Sequence, residues 1–114
     1  MTKYFGFAVA ANMFPENAII RKIALTPEEV REILETGVQS CLNPSHTATI
    51  AAAKQRFGIE VEIPEKAPRV TLEVGDAVIV MAAQGLPRLE GRHEYTKEEI
   101  ESASFAFSIF KVLD

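Results

Sequence analysis

GDAVIVMAAQ, residues 75–84, is the stretch that decides the architecture. It opens on a Gly-Asp turn and then runs almost wholly apolar, where a strand with one wet face would alternate apolar and polar residues. Such a run predicts a strand buried on both faces, inside a sheet. The remaining chain must then supply partners and cover for it.

Downstream, TKEEI carries Thr96 as helix N-cap and Glu99 three residues later, the capping-box pattern. ASFAFSIFKVL follows, with Phe105, Phe107 and Ile109 alternating on one face, and predicts a final strand. Upstream, EVEI and RVTLEV read as two short strands around the proline-bounded segment PEKAP. A helix is expected from Asn43 and Pro44 through IAAAKQRF to Gly58, a left-handed C-terminal cap. Another runs from Pro27 to about Glu35, with Thr26 and Glu29 as its capping box and Gly37 as its stop. AIIRKIAL before it predicts a strand, and so does the opening YFGFAVA, which is apolar on both faces and so reads as a central, doubly covered strand. The sum is a single α/β domain over residues 1–114: a mixed five- or six-stranded sheet with about three flanking helices.

Composition agrees and excludes several functions. At 114 residues and 47% hydrophobic content, one core-bearing domain is expected. A formal charge of −4 argues against coating duplex DNA, which depends on many Lys and Arg meeting phosphates. The single cysteine, Cys41, rules out an internal disulfide and suits a reducing compartment. The N-terminus has no signal-peptide pattern and no run reaches the roughly 20 apolar residues of a membrane span, so a soluble cytoplasmic protein without membrane partners is expected. Glycine-rich phosphate loops, GxSxG, HExxH and paired CxxC motifs are absent, and no metal or cofactor is expected.

Two places concentrate chemistry. In NPSHTATI, residues 43–50, His46 falls at the third helical position if Asn43 is the N-cap. Unpaired N–H groups and the helix dipole attract anions there, and Ser45, Thr47 and Thr49 add hydroxyls. The bland alternative is a surface histidine beside an ordinary cap. The loop GLPRLEGRHEY, residues 85–95, follows the buried strand. Arg88 and Arg92 suit phosphate, and Glu90 or Glu94 could orient a histidine or move a proton. An ordinary solvated charged loop, with an exposed His93, explains the same composition. Cys41, five residues before His46, could pair with it as nucleophile and base, but a lone cysteine is more often a small buried hydrophobe. Arg69 after the rigid Pro68 says little alone.

Three segments, YFGFAVAANMF, NPSHTATI and the run from Gln84 through PRL to EYTKEEI, resemble in order and spacing the viral ring nuclease family of type III anti-CRISPR proteins. That family was long catalogued as a domain of unknown function and occurs in archaeal viruses and in bacteria. The resemblance covers nearly the whole chain. It implies a homodimer with a five-stranded sheet that binds cyclic tetra-adenylate across its interface and cleaves it without metal. By position, His46 matches the catalytic histidine, Thr49 and the turn before it match a phosphate-contacting helix start, and Asn12, Arg69, Gln84 and Arg88 match ligand-binding residues. The catalytic carboxylate falls on Gly91 without a gap and on Glu90 with a one-residue shift; Glu94 is a further possibility. Phe7 and Ala10 stand where that family's pattern has Asn and Ser. The resemblance leaves ring size and turnover rate open, and a non-catalytic nucleotide-sequestering module or a protein-binding inhibitor remains an alternative.

Overall fold

The computed structural model describes Met1–Asp114 and puts the apolar run at its centre. This strand, β4 (Ala77–Gln84), is the middle of five. It pairs parallel with β1 (Lys3–Gly6) on one side and antiparallel with β5 (Ser104–Val112) on the other. The two-residue β3 (Gln39–Ser40) lies parallel outside β1, and β2 (Ile20–Leu25) lies antiparallel outside β5. The order is therefore β2-β5-β4-β1-β3, and β5 alone runs against the other four. As a result β1, β3 and β4 all release their following loops at the same end, the edge where α/β sheets place ligands.

Two helices start where the sequence says they should, while the chain expected to open the other at Asn43 and Pro44 first makes a 3-10 turn over Pro44–His46. In α1 (Pro27–Glu35) the Glu29 N–H donates to Thr26 Oγ1 at 3.1 Å while the Thr26 N–H donates to Glu29 Oε1 at 2.9 Å. Thr96 and Glu99 repeat this at 3.1 and 2.8 Å for α3 (Lys97–Ser102). Between them, α2 (Thr47–Phe57) stops at Gly58, whose φ of 72° is left-handed and free of strain for glycine. No helix is long and apolar enough to cross a membrane.

Period-two alternation divides the sheet's side chains into two layers. On one face Phe5, Ile79, Met81, Phe107 and Ile109 pack with Val30, Ile50 and Ala53 from α1 and α2. On the other, Val78 and Val112 meet Leu72, with Tyr4, Phe14, Val70 and Phe110 around them. Helices cover the first face and irregular chain the second, so β4 is buried on both. Each fully buried Ile or Val there contributes about 1.5–3 kcal/mol.

Four details differ from expectation. EVEI and RVTLEV form no strands. Their alternation reports one-sided burial and not pairing: Ile59, Val61 and Ile63 pack against the helix-side core, and Leu72 is buried on the reverse face, with its N–H donated to Met13 O at 2.7 Å. Neither segment joins the sheet's ladders. β1 ends at Gly6 and not at Ala10, which frees Phe7 to turn away from the ladder, and it lies beside the central strand while still covered on both faces. The short β3 had no periodic signal to announce it. The turn before β4 is tied by the buried Asp76, whose carboxylate accepts the N–H groups of Thr2 at 2.8 Å and Glu73 at 2.9 Å.

Candidate functional site

His46 is held by a local device. Asn43 is extended, Pro44 opens a single 3-10 turn that ends at His46, and α2 continues from there. Asn43 Oδ1 accepts from the Ser45 N–H at 2.9 Å and from the Ser45 hydroxyl, and the Thr47 hydroxyl donates to Pro44 O at 2.7 Å. In return the Asn43 N–H donates to His46 Nδ1 at 3.2 Å. The imidazole thus fills the role that Glu29 and Glu99 fill in the other two capping boxes.

This has a chemical consequence. With Nδ1 accepting, the neutral ring carries its proton on Nε2, and protonating Nδ1 would set two donors against each other. The ring of Phe7 meets His46 edge-on, with centroids 4.5 Å apart and planes at 69°. Burial holds the imidazole pKa below its ordinary 6.5, and none of the chain's ion pairs involves it.

His46 opens into a concavity of about 500 Å³ at the strand-end edge. The last four residues of β4, Met81–Gln84, form one part of its lining, Phe7 and Thr49 another, and Leu86 and Tyr95 a third. The structure therefore brings His46 and Thr49, three residues apart at the start of α2, together with Gln84 at the end of β4. Tyr95 was missed by sequence reasoning. It precedes the N-cap of α3, a position at which an apolar residue commonly packs on the helix, and that role hides any other.

A second concavity, of about 300 Å³, gathers Asn12 and Arg69 with Ala8, Cys41 and Thr71 among its lining. Cys41 lies here and not beside His46. Burial pushes its thiol pKa up, so it remains protonated, and the pairing with His46 as nucleophile and base is not formed. Consecutive residues, Phe7 and Ala8, line the two concavities, so the exit of β1 divides them.

The 85–95 loop leaves β4 at Gly85, whose φ is 87° and where an added Cβ would meet Ala103 at 3.6 Å. Leu86 and Tyr95, at its two ends, reach the His46 concavity, whereas Arg88, Glu90, His93 and Glu94 are exposed and line neither concavity. Arg92, expected to suit phosphate, instead grips Glu99 through two bonds of 2.7 and 2.8 Å. With the Thr96 N–H, this pair pulls the Glu99 pKa down to about 2. No group of three His, Cys, Asp or Glu side chains is placed to hold a metal ion.

No protein-family model matches the sequence, and no curated protein matches it. Its fold is similar to that of B116 of Sulfolobus turreted icosahedral virus, with a TM-score of 0.72 over 97% of this chain and 99% of that chain at 17% identity, and the likeness shows a shared α/β architecture.

Proposed function

We propose that the protein is a metal-independent ring nuclease that opens cyclic tetra-adenylate and so antagonises type III CRISPR signalling. One observation carries this reading: His46 and Thr49, from one turn of chain, and Gln84, far from them in sequence, line a single concavity at the strand-end edge of the sheet. The family resemblance assigns ligand-handling roles to the same three residues. The viral source of a protein with a similar fold accords with work in a virus or other mobile element.

The proposed reaction needs only side chains. A ribose 2′-hydroxyl attacks the neighbouring phosphorus, the bond from phosphorus to O5′ breaks, and the departing O5′ takes a proton from His46 Nε2. A 2′,3′-cyclic phosphate and a free 5′-hydroxyl result, and the 2′ proton passes to solvent. The imidazolium is the competent acid, yet the free site favours the neutral ring through burial and the Asn43 N–H. Ligand phosphate is what raises the pKa, with Glu90, or Glu94 on the same loop, adding a carboxylate in the assembled complex. Arg69 and Arg88 take phosphate oxygens, and Asn12, Ser45, Thr47, Thr49 and Gln84 complete the polar contacts. A homodimer presents each group twice, which matches a cyclic four-phosphate ring and lets a protein of net negative charge hold a polyanion locally.

Incubation with cyclic tetra-adenylate in chelator, followed by chromatography, tests this. Linear products ending in 2′,3′-cyclic phosphate are expected; an intact ring after long exposure to micromolar protein would overturn the proposal. A second reading is a sequestering module that binds the ring without cutting it. It is favoured by the neutral His46 and by the absence of any carboxylate from the lining of its concavity. Tight calorimetric binding without turnover would select it.

A further inference from the structure

The end of the sheet remote from His46 carries an arrangement that the nuclease reading does not use. Arg21, Lys111, Ala77 and Lys3 are in-register partners across β2, β5, β4 and β1, so they form one row on one face. Two residues further along, the next row on that face is Ile23, Ile109, Ile79 and Phe5, part of the helix-side core. Three of the four outer positions are therefore cations, and Arg21 stands directly opposite Lys111. Like charges facing each other across a ladder destabilise it. Basic residues on an edge strand guard against unwanted pairing, which accounts for Arg21 on β2 but not for Lys111 on the interior strand β5. None of the three takes part in the chain's ion pairs, although the sequence has 16 acidic residues to offer. The carboxylate of Asp76, next to Ala77, is committed to the N–H groups of Thr2 and Glu73.

Beside this row lies a concavity of about 460 Å³, lined by Lys3 and Lys111 and by Met1, Ile33, Ile109 and Leu113 among others, with no Asp or Glu. Its size is that of a small-ligand site. The large apolar side chains that the fold leaves exposed, Met1, Ile19, Ile20, Val74 and Leu113, all belong to this end. Ile20 pairs with Val112, Ile19 bonds through its backbone to Leu113 and Asp114, and Val74 precedes Gly75 in the lining. We propose that the concavity binds an amphiphilic carboxylate, a single alkyl chain with one anionic head. The chain lies along Ile33, Ile109 and Leu113, and the head is held by Lys3 and Lys111 over Ala77, with Arg21 at the rim. The two lysines are two strand spacings apart, roughly 10 Å at Cα, and the small Ala77 between them leaves room for the head. Lys3 Nζ donates to Thr36 Oγ1 at 3.0 Å beside the end of α1, which positions the ammonium and leaves two of its donors free. A bound anion relieves the repulsion between Arg21 and Lys111. A second copy is the poorer occupant, because a twofold contact here sets these cations against their own equivalents.

This site stands independently of the nuclease reading. It is tested by nuclear magnetic resonance titration of the isotopically labelled full chain with octanoate, octanol and acetate. Octanoate is expected to shift the signals of Lys3, Ile33, Ile109 and Lys111. Its half-saturation should lie about tenfold below that of octanol, which lacks the charge, and of acetate, which lacks the chain. The His46 ring signals should stay in place, since Ala77 and Gln84 are the two ends of β4, roughly 23 Å apart. Lys111→Gln, at an exposed position, removes the charge and should raise the octanoate half-saturation about tenfold while leaving that of octanol unchanged. Equal binding of octanol and octanoate, an unchanged octanoate response in Lys111→Gln, or no shift at these residues at millimolar octanoate would each overturn the site. So would shifts at the same residues on concentrating the protein alone, the mark of a second copy covering this end. Failure here leaves ring cleavage untouched, and failure of ring cleavage leaves this site untouched.

Discussion

The concavity holding His46 and the one holding Arg69 are lined by neighbouring residues of the chain, yet they are made of opposite materials. The first is largely aromatic and apolar around one imidazole. The second has a permanent cation, an asparagine and a threonine hydroxyl. The first offers a group that can exchange a proton, the second a charge that suits an anion. The difference teaches that candidate residues gathered along a sequence need not share a task. On the proposed reaction, the proton donor and one anion-binding arginine are set apart within one protomer, and a ligand large enough to span the exit of β1 would join them.

This division can be broken most directly at His46. On the proposed reaction, His46→Ala should lower turnover by roughly 10²- to 10⁴-fold, the usual worth of general acid catalysis, while ring affinity measured by calorimetry stays within a few-fold. Arg69→Ala should do the opposite: affinity weaker by roughly 10- to 100-fold, the worth of hydrogen bonds to a charged group, with kcat little changed. If the two variants exchange phenotypes, the division of labour is wrong.

A smaller effect lies in the pH dependence. Burial depresses the His46 pKa below 6.5, so kcat/KM, which reports the free enzyme, should rise as pH falls and level off only beneath that value. The stability linkage has the other sign. Because the folded state favours the neutral ring, the contribution from His46 is complete above 6.5 and declines as pH falls through it. Thermal melts across this window, compared with His46→Gln, which keeps a capping acceptor but does not titrate, should show a slope in the wild type alone. Least in size is Glu99→Gln. It loosens the Arg92 anchor and lowers the melting midpoint slightly at neutral pH. The gap to wild type should close as pH falls from about 4.5 towards 2, where Glu99 itself takes up a proton.

Local signals in the sequence carried the helices well, because a cap is a conversation between residues three apart. TPEEV and TKEEI place α1 and α3, and Gly58 ends α2, from information contained in each segment. Signals that depend on a distant partner were not legible. The alternation in EVEI reports that Val61 and Ile63 face the core, but whether a strand stands alongside is decided elsewhere in the chain. The candidate site follows the same rule. His46 was visible from its turn, whereas its hydrogen bond from Asn43 and its contact with Phe7 require coordinates. Arg92 stands in the sequence as one more loop cation, and only the fold commits it to Glu99.

One feature of the sheet bears on how such a molecule could diverge. Gln84 and Ser104 face each other as the last paired residues of β4 and β5, so all of residues 85–103 forms the tip of a single hairpin. Its insertion point is pinned on both sides by the longest ladder in the molecule. Lengthening or shortening that tip would reshape the mouth of the concavity without shifting register anywhere else. Doubling its span costs only about 0.6 kcal/mol in closure entropy. The part of it ahead of α3, residues 85–95, can therefore be edited to change what the concavity accepts while the sheet and helices keep their places.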